Sequence, residues 1–344
     1  MPDFPDLGAV RFRKLRDVGD VMNATVALLR ENWRELLRSY VAVVAPVALA
    51  TGIATGLYMH QMGGLMADPA AIENDPFAVF SPTYFGILLF GALGGALTVA
   101  AASAYVKLYR EGQAGEITAG VLWEEARELL FPFLGLSVLY GLVIMLSAVI
   151  AIIPCLGILA WFAFVIWSLP YYAVTFAVRA LEEDTITASW QRARELVKGS
   201  WGFAGGALLL AGLLFYVIIM IVSIPLYVIM IVVGINSVAT DPSAMFSVMG
   251  AVVAPLQVVS YAGYLIPLVA LFFVHGRLAE ELDGTGLYAD LDDLAGLGGS
   301  GTEADRPEPR DATPPSTPPP APDPGNDGDD VPGAGGFRGG GFRG

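Results

Sequence analysis

WGFAGGALLLAGLLFYVIIMIVSIPLYVIMIVVGI, residues 201–235, contains no Asp, Glu, Lys or Arg. A helix needs about 20 apolar residues to cross the hydrocarbon core of a bilayer. This stretch exceeds that need, which implies tilt, a kink at Pro225 or extension beyond the bilayer. Working outward, five more uncharged segments reach spanning length, at about 40–59, 84–106, 131–153, 156–178 and 251–274. The third and fourth are separated only by a turn around Pro154. The sequence therefore predicts an all-α integral membrane protein with six transmembrane helices.

Composition agrees. Of 344 residues, 55% are hydrophobic and 15% charged. Soluble domains carry about 25% charged residues. The formal charge of −14 is unevenly spread. Residues 279–344 carry −10 of it, with 14 acidic and 4 basic residues. Such a balance argues against nucleic-acid binding, which needs clustered cations to neutralise phosphates. The single cysteine, Cys155, excludes an internal disulfide and a Cys-based metal site. The first residues lack the apolar core of a signal peptide, so the first span is expected to stay as an anchor.

All 19 basic residues fall before span one, between spans two and three, between spans four and five, or after span six. The alternate loops, about 60–83, 154–155 and 236–250, contain none, although they carry Asp68, Glu73, Asp75 and Asp241. The positive-inside rule then predicts both termini in the cytoplasm; the membrane is expected to be a prokaryotic cytoplasmic membrane. Residues 1–16 form a basic N-terminal segment, 17–278 the six-span domain and 279–295 a short amphipathic cytoplasmic segment. From 296 to 344 the chain is rich in Pro, Gly and Asp and cannot bury enough apolar surface to fold.

Each outward span follows a charged, patterned segment: NATVALLRENWRELLRSY (23–40), ITAGVLWEEARELLF (117–131) and ITASWQRARELVKGSW (186–201). The recurring RELL, RELL and RELV describe three helical hairpins, each an inner-face helix, an outward span and a return span, with no unique register. In the third copy Ile186, Trp190, Ala193 and Val197 form an apolar stripe. In the first, Val18, Met22, Val26, Leu29, Trp33 and Leu36 do the same. Acidic residues precede the third helix and basic ones lie toward its end, which complements the helix dipole. The pattern predicts amphipathic helices lying on the membrane face, with Trp33 and Trp201 at the headgroup boundary.

Ala188-Ser189-Trp190 with Glu195-Leu196-Val197-Lys198-Gly199-Ser200-Trp201, and Leu28-Leu29-Arg30-Glu31-Asn32-Trp33 at the opening, resemble the membrane domain fused to some bacterial glycerophosphoryl diester phosphodiesterases. The resemblance covers roughly residues 15–280. It implies the six-span fold and an association with lipid metabolism. It does not imply the enzyme's activity, because that family's soluble barrel, with His, Glu and Asp around a metal, has no counterpart here.

The sequence offers no catalytic, cofactor or metal set. His60 and His275 are the only histidines. His275-Gly276-Arg277 is a superficial echo of the barrel's His-Arg-Gly and reads as a polar end to span six. Glu124, Glu125 and Glu128 read as a solvated face. Span six carries Gln257, Ser260, Tyr261 and Tyr264 on one face, with Ser168, Pro170, Tyr171 and Tyr172 of span four as expected partners. That face serves interhelical hydrogen bonding or a solute pathway. Gly52 and Gly56, Gly91 and Gly95, and Gly202 and Gly206 have the small-residue spacing for close helix packing. Arg11, Arg13, Lys14, Arg16, Arg192, Arg194 and Lys198 are candidate contacts for anionic lipid headgroups.

The leading functional expectation is a non-enzymatic module that organises the bilayer or scaffolds a protein partner through its cytoplasmic face or tail. One alternative is a carrier for a lipid or small uncharged solute along span six. Another is an accessory to glycerophosphodiester or lipid metabolism. Membrane lipids are the expected partners; no cofactor is expected.

Overall fold

The computed structural model describes residues 12–75, 77–153, 156–182, 185–238 and 242–284. Arg11, Cys155, the segment from 285 to 295 and the 296–344 tail lie outside them. Among the described residues every regular element is helical. The helices are α1 (Val18–Ala67), α2 (Pro69–Asn74), α3 (Pro82–Arg110), α4 (Ala119–Ser147), α5 (Leu156–Leu181), α6 (Ile186–Val238), α7 (Pro242–Gly263) and α8 (Leu265–Asp283). A 3-10 turn, Ala148–Ile152, prolongs α4. Six helical stretches are long and apolar enough to cross a membrane, the last being Val248–Asp283.

Local chemistry sets the ends. Asp17, Ser81 and Thr118 cap α1, α3 and α4 with side-chain acceptors. Gly284 closes α8 at φ 66°, a left-handed position that glycine takes without strain. Pro267 has no N–H for the Gly263 carbonyl, and the long sixth segment breaks at Tyr264 into α7 and α8.

The first and third patterned segments behave differently. In α6 the backbone leaves helical geometry at Ser200 (φ −128°, ψ 32°), so the amphipathic segment and the span are two helices meeting one residue before Trp201. In α1 the 50 residues run on without such a break. The separate inner-face helix expected there is instead the first half of a rod about 75 Å long. Its buried positions include Val21, Thr25, Leu28 and Leu36, whereas Val26 and Trp33 are exposed. The core stripe is therefore turned by about one residue from the one read in the sequence, because α1 packs on two sides.

The structure supplies the register of the repeat that the sequence left open. Thr118 and Thr185 offer side-chain oxygens to Val121 and Ala188 N–H, each nine residues before the Arg of its Arg-Glu-Leu run. Trp123 and Trp190 follow at matching positions and are both half-exposed, while Ala126 and Ala193, then Leu129 and Leu196, are buried. The recurring ITA is out of this register by two residues. Thr118→Ala should remove an N-cap and cost about 1 kcal/mol, read as a lowered melting temperature in detergent.

The bundle has two tiers. At one end the amphipathic starts of α1 and α6 and the ends of α3 and α5 pack around α8. Phe272, Phe273, Val274 and Ala279 there have no more than 1% exposure. Toward the other end the helices turn large apolar side chains outward, such as Leu139, Leu146, Leu159, Phe162, Leu213 and Ile221. An apolar band of that extent is a surface for lipid tails. The basic residues of α1, α3, α4, α6 and α8 gather at the first, well-packed end, the basic end.

α1 makes its most extensive contacts with α7, running antiparallel to it. A Cβ on Gly52 would stand 2.5 Å from Ala254 Cα, and one on Gly56 2.8 Å from the Gly250 oxygen. Only glycine lets these backbones approach so closely. Nearer the basic end Tyr40 donates from its hydroxyl to the Tyr261 carbonyl at 3.2 Å. On the other side of the bundle α4 and α5 join through Tyr140–Ser168 and Tyr172–Ser137 hydrogen bonds and a Tyr140–Tyr172 stack at 3.8 Å.

Candidate functional site

The densest polar constellation lies at the basic end, where α5, α6 and α8 converge. Glu182 extends the last turn of α5, its N–H bonded to the Val178 carbonyl at 2.8 Å. Its carboxylate meets His275 Nε2 at 3.1 Å and Arg192 Nε at 3.4 Å. Arg192 Nη2 reaches both carboxylate oxygens of Asp283, at 2.7 and 2.6 Å. The Glu182 and His275 side chains are only 7% and 3% exposed. Such groups persist in a core only when paired and hydrogen-bonded. Burial pushes the Glu182 carboxyl up, but the hydrogen bond from His275 and the charges of Arg192 and Arg13 outweigh it and hold it below its usual value. An ionised Glu182 can only accept, so His275 donates to it from Nε2.

Further contacts close this end. Ser200 Oγ, at the α6 break, donates to Glu281 Oε2 at 2.9 Å, and Arg277 reaches the same oxygen at 2.7 Å. Arg277 also lies 3.9 Å over the Phe203 ring. Phe12 stacks on Phe273 at 4.7 Å, and Arg16 donates to its carbonyl at 3.0 Å. That carbonyl lies where a Cβ on Gly276 would sit. Across the bundle Glu35 of α1 accepts from the N–H groups of Gly115 and Ile117 at 2.9 and 2.6 Å, pinning the α3–α4 loop.

The residues singled out in the sequence divide. Arg192 pairs with Glu182 and Asp283, because α8 returns an acidic end beside α6. Arg194 and Lys198 are exposed, opposite the buried Ala193 and Val197, and Lys14 is exposed as well. Arg13 is half-buried near Glu182 and Arg16 is bound to Phe12. Glu125 pairs with Lys107 at 2.8 Å and Glu124 with Arg127, so two of the three glutamates are drawn into ion pairs, while Glu128 is exposed. No group of three His, Cys, Asp or Glu among the described residues could hold a metal ion.

The polar face of the sixth segment is dispersed. Ser260 bonds back to the Leu256 carbonyl at 2.8 Å. Tyr261 is buried, its hydroxyl against Gly94, while Tyr264 is exposed and stacked on Phe215 at 4.6 Å. Gln257 is half-buried. The span-four hydroxyls Ser168 and Tyr172 meet α4 rather than this face. Of the glycines, Gly52 and Gly56 face α7, but a Cβ at Gly91, Gly95, Gly202 or Gly206 would meet nothing within 4 Å. The close approach on α3 falls at Gly94 against Tyr261. The helical phase differs from the motif's choice because the α3 face that packs is one residue away.

Two open grooves flank α1, and both have mainly apolar walls. One, about 560 Å³, lies between α1, α3 and α4 and includes Pro46, Leu97 and Trp123. The other, about 290 Å³, lies between α1, α6 and the α7–α8 junction. Gln257 lines neither. The reading in sequence missed the Glu182–His275–Arg192–Asp283 link. Its signal was faint: an acid just past span four and a lone histidine just past span six. Comparison with family models, curated proteins and solved structures returns no match to this chain.

Proposed function

We propose that this chain is a non-enzymatic module of a prokaryotic cytoplasmic membrane that organises lipid or scaffolds a partner on its basic end. The observation that carries this reading is the closure of that end by its own ion pairs. Glu182, His275, Arg192 and Asp283 tie α5, α6 and α8 together, and Glu35 ties the α3–α4 loop. What remains outward includes the exposed cations Lys14, Arg30, Arg34, Arg38, Arg194 and Lys198, interspersed with exposed carboxylates such as Glu31, Glu128 and Glu195. Its outward arginines and lysines suit an anionic leaflet, where each basic residue near the surface contributes about 1 kcal/mol. With this end in the cytoplasm, both termini lie there too.

Two experiments test the reading. Membrane-impermeant maleimide should label native Cys155 from outside intact spheroplasts; labelling only after lysis would reverse the orientation. Proteoliposomes should scramble fluorescent lipid no faster than empty liposomes. Scrambling lost on Gln257→Leu would establish the carrier instead, and release of glycerol phosphate from glycerophosphodiesters would establish an enzyme.

A further inference from the structure

The geometry points to a binding site for one anionic phospholipid in the groove between α1, α6 and the α7–α8 junction. The inference deepens the reading above by naming a ligand and its seat, and it rests on that reading only in placing the basic end beside an anionic leaflet.

The walls are Leu29, Trp33 and Leu37 of α1, Ile218 and Val222 of α6, and Ile266 of α8. Water in such a groove finds few hydrogen-bond partners, so the space suits an alkyl chain. The volume of about 290 Å³ is near the lower end of the range for small-molecule sites, roughly 300 Å³. Its α6 wall belongs to the uncharged run of residues 201–235, so the groove opens from a charged turn of α1 into the apolar band.

The rim selects the headgroup. Arg34 places its guanidinium 5.3 Å from the centre of the Trp33 ring, on the groove wall. Spacings of three and four residues put Arg30, Trp33, Arg34 and Leu37 on one face of α1. Arg30, Arg34 and Arg38 are exposed. Glu31 is exposed beside them, whereas Glu35 is turned to Gly115 and Ile117. The rim therefore keeps a net positive charge. Trp33, half out of the core, suits the boundary between headgroups and tails. A phosphodiester accepts from the arginines while one acyl chain lies along Trp33 and Val222. A zwitterionic lipid brings its own ammonium to the same rim and gains less. A second copy of the chain, docked by symmetry on this edge, would bring its own arginines against these.

The test is native mass spectrometry of the full-length protein in detergent, titrated with phosphatidylglycerol or with phosphatidylcholine of identical chains. One phosphatidylglycerol should bind in preference to phosphatidylcholine. Arg30→Gln with Arg34→Gln should weaken it roughly 25-fold, about five-fold per arginine. Val222→Trp fills the groove with the rim intact and should weaken both lipids; it decides the matter should the double variant fail to fold. Equal binding of the two lipids would overturn the site. So would phosphatidylglycerol binding indifferent to these changes but lost on Lys14→Gln with Lys198→Gln, and so would a dimer that Val222→Trp dissociates. Loss of the lipid site with outside labelling of Cys155 intact would leave the module reading standing.

Discussion

Glu182→Ala should be the most damaging single substitution at the basic end, costing about 3–5 kcal/mol. The carboxylate holds two partners on two different helices, His275 on α8 and Arg192 on α6. Truncation leaves a buried imidazole without an acceptor and removes one of two anions facing Arg192. In detergent the melting temperature should drop by roughly 10 °C. Replacing the pair together, Glu182→Leu with His275→Leu, should cost much less, since apolar groups of similar volume substitute well for a buried polar pair. An alanine variant that melts with the wild type would remove the cluster from any structural role.

The same group sets an acid limit. Its folded pKa lies below the ordinary value of 4.5. A depressed folded value means that the unfolded chain binds the proton more tightly. The contribution of Glu182 is therefore complete well above pH 4.5 and is lost as pH falls below that and through the folded value. Stability of the wild type should fall in that range more steeply than that of the Leu/Leu variant.

Gly56→Leu should have the second large effect. A Cβ there meets the Gly250 backbone at 2.8 Å, and a flexible side chain cannot be moved to relieve it. The α1–α7 pair must separate, costing at least the 1–3 kcal/mol usual for overpacking. Gly52→Leu should act likewise through Ala254. Gly91→Ala and Gly202→Ala provide the contrast: nothing lies within 4 Å of the new methyl, and alanine favours the helix by up to about 1 kcal/mol. Thermal melts of the four variants separate the two classes. Equal losses at Gly56 and Gly91 would refute the assigned helix faces.

These contrasts mark where sequence reading stopped. Gly52, Gly91 and Gly202 begin the same motif, yet only the first meets a neighbouring backbone. Spacing places residues on one face of a helix but does not say which way that face turns. The break at Ser200 between amphipathic and spanning helix falls where the composition of the sequence changes. The continuity of α1 was not legible, since a charged segment followed by an apolar one looks the same whether or not the backbone bends.

The amino-acid sequence by itself determined six apolar helices of spanning length, the segregation of cations to alternate loops and the patterned segments before alternate spans. Each depends on local composition, because crossing hydrocarbon is decided residue by residue along one helix. The tertiary structure alone decided that Arg192 pairs inside the chain, that α8 is the enclosed helix of the basic end and that the polar face of the sixth segment is broken up. Those outcomes depend on pairs such as Glu182 and His275, 93 residues apart. Burial and charge pairing across such distances are set by how helices pack, which no local pattern encodes.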